Sequence, residues 1–284
     1  MRSHLLASLV LSLAPGLGAA AGSDANAAPC AAARVPIGAK AAAIVAEARA
    51  EIDAYRADWR EACDPRRGAA DVARLLSDAE ALVTDVRLAR VAGALARALE
   101  PDAAWPLPGV RRSGAGVDLD WATFAAFVER GTVDDVRFFR GFSRATGAGG
   151  EPAWLGPVPA EGAAPCLRLG ETRWAEVAQG IEEMERAKVE VYSRRAAALR
   201  EQLLATLKTL GKGGAVCGCV KGDPVPALDA LGSGAPERSG APERRALVAA
   251  ATSASTALRT GSARVSWLRE APDAPATGCG VGPR

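Results

Sequence analysis

Residues 171–210 read ETRWAEVAQGIEEMERAKVEVYSRRAAALREQLLATLKTL. Trp174, Val177, Ile181, Met184 and Val191 start an apolar row, and Tyr192, Ala196, Leu199, Leu203, Leu207 and Leu210 continue it. Steps of three and four residues mark one face of an α-helix. A helix of about forty residues reaches about 60 Å, so the stretch predicts either a bundle rod or a helix bent near Gly180. Gly211, Gly213 and Gly214 stop it.

Other segments carry the same period. Over 38–62, Val45, Ala48, Ile52, Tyr55 and Trp59 follow heptad spacing, and Pro65 and Gly68 end the run. Over 69–100 the row is Val72, Leu75, Leu76, Ala79, Leu82, Val83, Val86, Leu95 and Leu99, closed by Pro101. A weaker face, Leu247, Val248, Ala251 and Leu258, follows Pro242, a residue suited to a first helical turn. The expectation is an all-α protein: three or four long helices in a bundle, with little or no β-structure.

An insertion at 101–170 has a different composition. Asp118 and Asp120 are placed to cap a short helix bearing Trp121, Phe124 and Phe127, which Gly131 closes. Thr132 and Asp135 form a capping-box pattern before a second helix with Phe138, Phe139 and Phe142. An irregular stretch at 211–241 contains Cys217-Gly218-Cys219 and part of a duplicated Gly-Ala-Pro-Glu-Arg, at 234–238 and 240–244. Segments 166–169 and 265–268 carry the strand signals, predicting at most one short pair.

The N-terminus carries an address. Arg2 and His4 precede an apolar run, 5–17, that ends in Gly18, Ala19, Ala20 and Ala21. This predicts a secretory signal peptide over 1–21, too short to span a bilayer, followed by one helical domain over 22–284. Cys30 follows Ala27, Ala28 and Pro29, well beyond the apolar run, which does not match a lipid-attachment signal. The expected location is the periplasm or the extracellular space, with no integral membrane segment after cleavage. With a formal net charge of +2, no bulk field draws the chain to nucleic acid.

Export makes disulfides the expected fate of Cys30, Cys63, Cys166, Cys217, Cys219 and Cys279. A straight helix over 38–62 would hold Cys30 and Cys63 at opposite ends, and only a broken helix would let them meet. The long rod separates Cys166 from Cys217 and Cys219 in the same way. If the last helix returns antiparallel, Cys166–Cys279 is the favoured pair.

Several chemistries are disfavoured. Cleavage removes His4, the single histidine, and with it any Ser-His-Asp or Cys-His machinery. Cys-Gly-Cys is tighter than zinc-ligand spacing, so neither a metal nor another cofactor is expected. The same motif, with Lys212 and Lys221 nearby, leaves Cys217 and Cys219 as redox candidates. Asp118 with Asp120, or Glu182, Glu183 and Glu185, are the acids available for hydrolysis. Gly114-Ala115-Gly116 and the Gly-Lys-Gly-Gly at 211–214 lack the context of phosphate-binding loops.

The aromatic insertion is the expected site. Trp121, Phe138, Phe139 and Trp154 are predicted to line it, with Arg137 or Arg140 orienting an acidic group. The leading expectation is an exported, non-catalytic binding or interaction protein of the bacterial cell envelope, with ligand or partner unknown. A thiol–disulfide protein and a carboxylate-dependent cell-wall hydrolase follow it.

Overall fold

The computed structural model describes residues 29–100, 103–114, 116–147, 149–156, 166–219, 222–233 and 242–267. The signal peptide, the first copy of the duplicated pentapeptide, Lys221 and Cys279 lie outside them. The fold is mostly helical, 64% helix against 10% strand, so it is not purely all-α. Its elements are α1 (Ala39–Ile44), α2 (Arg49–Ala62), α3 (Val72–Thr84), α4 (Val86–Ala98), β1 (Val110–Ser113) and β2 (Gly116–Leu119). They continue with α5 (Trp121–Phe127), α6 (Val133–Ala145), α7 (Trp174–Glu185), α8 (Glu190–Gly211), β3 (Gly214–Gly218), α9 (Val225–Gly232), α10 (Pro242–Arg259) and β4 (Ala263–Trp267).

The first three long expected helices are each broken while most of their apolar rows stay buried, and the fourth runs unbroken as α10 from Pro242. Val45, Ala48, Ile52, Tyr55 and Trp59 are all buried, but a 3-10 turn at Val45–Ala48 interrupts their helix. The preceding segment also doubles back, because Arg56 reaches the carbonyls of Ala33 and Val35. Together these bring Cys30 to Cys63, with Cα atoms 5.6 Å apart, and the two are bridged. A straight helix between them is therefore corrected to a broken one.

The run 69–100 is two helices, because Asp85 is extended and caps the second. Its carboxylate accepts from the amides of Arg87 at 3.0 Å and Leu88 at 2.9 Å. The restart turns Val86 outward, 86% exposed, so it leaves the expected core row. The long segment 171–210 bends at 186–189 rather than at Gly180, where Val189 takes an extended conformation. Gly180 has another duty: α6 crosses α7 there, and a Cβ on it would lie 2.5 Å from the Gly141 carbonyl oxygen.

Two small sheets correct the expectation of almost no strand. β1 and β2 form an antiparallel hairpin with Val110 opposite Leu119. β3 and β4 pair in parallel, with Val216 opposite Val265. The segments expected to pair with each other instead flank β3. Leu167 donates to the Cys217 carbonyl at 2.8 Å and accepts from the Cys219 amide at 2.9 Å. That register sets Cys166 beside Cys219, and they are bridged with Cα atoms 5.3 Å apart. Cys166–Cys219 thus replaces the favoured Cys166–Cys279, and the bend at 186–189 removes the rod that was to separate them. Cys217 is also disulfide-bonded.

The caps of the aromatic insertion form as expected for Asp120 and for the Thr132–Asp135 box. Asp118 lies in β2 instead. The buried Asp135 carboxylate accepts from Thr132 N at 2.5 Å and Thr132 Oγ1 at 2.8 Å, and from the Tyr192 hydroxyl. This ties the start of α6 to α8 and leaves no oxygen of the buried acid without a partner. One apolar cluster runs from Ala33 through the aromatic insertion to Ala254 on α10. Among the described residues, no helix is long and apolar enough to cross a membrane.

Candidate binding groove

Two helices and a hairpin enclose a groove of about 780 Å³. α3 lines it with Ser77, Glu80, Ala81 and Thr84, and α8 with Val191, Arg194, Arg195 and Ala198. In each helix those four positions fall on one face, being three, four and seven residues from the first, and Val83 adds to the α3 side. β2 adds Asp118 and Leu119, α5 adds Trp121, and the loop after α6 adds Gly149, Gly150 and Glu151.

Trp121 organises the wall. Its ring packs on Phe142 with centroids 4.2 Å apart. The Arg195 guanidinium carbon lies over the ring, 4.9 Å from its centroid. Gly150 closes on the indole edge with φ +83°, a left-handed conformation, and a Cβ there would collide with Nε1.

The charges are unevenly satisfied. Arg194 Nη2 lies 3.6 Å from Glu80 Oε2. Burial pushes the Glu80 carboxyl above its ordinary value, against the pull of Arg195 and Arg194. Burial lowers the Arg195 guanidinium, and Glu80 counters it. The Arg195 Nε is buried without a hydrogen-bond partner among the described residues. Asp118 and Glu151 are exposed at the rim and form no ion pair among the described residues.

A pH consequence follows from Glu80. Its folded-state proton affinity exceeds its unfolded one, so its ionised form opposes folding above the folded pKa. That opposition fades as pH falls through the same window. The melting-temperature difference, native minus Glu80→Gln, is expected to rise on acidification from neutral pH towards the carboxylate range. A flat or falling difference would show that burial does not strain this group.

Most expected site residues are elsewhere. All five phenylalanines are buried. Phe138 stacks on Tyr192 at 4.0 Å and meets Phe139 edge-on at 5.1 Å. Trp154 is fully buried. Arg137 bonds Asp134 at 2.7 Å, and Arg140 lies 3.5 Å from Glu183. Trp121 alone of the ligand-binding candidates lines the groove.

The other acid candidates are paired with arginines, and Glu182 and Glu183 line a separate groove of about 570 Å³. Glu182 accepts from Arg244 at 2.7 Å, Glu183 from Arg144 at 2.8 Å, and Glu185 from Arg200. Each of these pairs joins different helices. Cys219 is bridged to Cys166, so Cys217 and Cys219 do not close a ring with each other. Sequence reasoning missed Glu80, Glu151, Arg194 and Arg195. The signal for Arg195 was its place beside Ala196 on the apolar row, where an arginine is half-buried. Compared with protein-family profiles, curated proteins and solved structures, the chain matches none.

Proposed function

We propose that the protein is an exported, non-catalytic binding protein of the bacterial cell envelope whose ligand occupies this groove. The observation that carries the reading is Arg195. A guanidinium is held against Trp121 with its Nε buried and unpartnered, in a groove of the size small ligands use. The Nε is sealed from the groove, as are five like atoms elsewhere among the described residues, so a ligand would meet the guanidinium at its Nη groups, which suit an acidic partner. The leader pattern at 1–21 and the two bridges support an oxidising compartment.

The test is a chemically diverse fragment set titrated against the protein, read on the Trp121 indole NH resonance and assigned with Trp121→Phe. Members that move this resonance are expected, with the effect abolished in Arg195→Ala. Fragments that bind only elsewhere would overturn the reading.

One observation favours a second reading, the carboxylate-dependent hydrolase. Glu80, Asp118 and Glu151 share the groove, and the raised Glu80 is the form a general acid takes. Release of soluble fragments from cell-wall glycan, lost in Glu80→Gln, would establish it in place of the binder. The Cys166–Cys219 bridge counts against the thiol–disulfide reading, because it removes Cys219 from a vicinal-type pair with Cys217.

A further inference from the structure

We infer that the groove takes an amphoteric ligand, a short peptide with free ammonium and carboxylate groups, an inference that rests on the groove being the binding site. The argument is one of charge placement. Glu80, Asp118 and Glu151 line the same groove as Arg194 and Arg195. Arg194 and Glu80 offset each other. Arg195 shares the field of Glu80 but forms no hydrogen bond or ion pair of its own among the described residues, and Asp118 and Glu151 at the rim form no ion pair among them.

Arg195 asks for an oxyanion. Its guanidinium is planar and desolvated against Trp121, which suits two-point recognition of a carboxylate. A phosphate or sulfate satisfies the same fork but brings more negative charge among three carboxylates. A simple cation meets the rim acids but leaves Arg195 unpaired. A ligand with one charge of each sign meets both kinds of group. Arg111 stands opposite Asp118 on β1 but outside the lining, so it tempers the rim acids without filling the cleft.

The loop supports this division of labour. The Glu151 carboxylate packs against Gly147 and Gly149, where any side chain would displace it. This places an acid next to Gly150, which covers the Trp121 edge. The volume, about 780 Å³, is that of a drug-sized ligand site and exceeds the needs of a bare ion.

The experiment titrates the intact protein with four probes, again reading the Trp121 indole resonance. They are a mixed-sequence tripeptide pool with free ends, the same pool N-acetylated, the same pool C-amidated, and inorganic phosphate. The free pool is expected to bind, and either cap to weaken it about tenfold or more, the loss of one charge-assisted pair. Arg195→Lys, which keeps the charge but loses the fork, is expected to weaken the free pool and leave the loss on N-acetylation intact. Equal binding of capped and free pools, or binding of phosphate alone, would overturn the ligand class while the groove stands. The class also fails if no peptide binds while fragments still move Trp121. If nothing moves it, the groove reading itself fails.

Discussion

Replacing Leu203 by aspartate should destabilise the protein by about 4 kcal/mol, because it leaves a charge without a partner inside an apolar contact. Leu203 is fully buried on the α8 face that also carries Ala196, Leu199, Leu207 and Leu210. No carboxylate can be hydrated there without opening the packing of α8 against its neighbours. If the aspartate variant does not accumulate, Leu203→Ala should cost about 3 kcal/mol from lost burial and the cavity left behind. Chemical denaturation measures both. A change within about 0.5 kcal/mol for either would place Leu203 at the surface.

Alanine at Gly180 should cost about 3 kcal/mol by overpacking a helix crossing. The added Cβ would lie 2.5 Å from the Gly141 carbonyl oxygen and 2.9 Å from Arg144 Cβ. The first of these is backbone, so relief requires α6 and α7 to separate rather than one side chain to turn. Glycine in a helix interior normally loses to alanine by about 1 kcal/mol. The prediction therefore reverses the sign expected from propensity alone. A Gly180→Ala protein as stable as the native one would mean that the two helices do not approach closely.

The apolar rows were legible because burial depends on which face a residue occupies, and that face survives a local break. Val45 through Trp59 stay buried on both sides of the 3-10 turn, and Trp174 through Leu210 across the bend at 186–189. The breaks themselves were not legible. An aspartate inside a helical row reads as a solvated residue until its extended conformation is seen, and Asp85 is such a case. The disulfides followed from the breaks, so the inferred pairing failed with the straight helices on which it rested. The β1–β2 hairpin was hidden by reading Asp118 as a cap, although Asp120 alone does that work.

The groove was less legible still. Glu80, Asp118, Glu151 and Arg195 come from four separate segments, and each taken singly resembles an exposed charge. Only the packing of α3 beside α8 assembles them. The aromatic density of the insertion was real, but its rings fill the core between α5, α6 and α8. Trp121 is where the two readings meet, since it belongs to that cluster and also forms the groove wall.

One comparison tests whether the groove, rather than the aromatic insertion, is the binding site. The affinity of the free-ended tripeptide pool is measured for the native protein, Arg195→Ala and Arg140→Ala. Arg140 is a surface partner of Glu183, and Arg195 lines the groove with no ion pair among the described residues. The account predicts a loss of about tenfold or more for Arg195→Ala and no change for Arg140→Ala. A loss confined to Arg140→Ala, with Arg195→Ala binding as the native protein does, would contradict it.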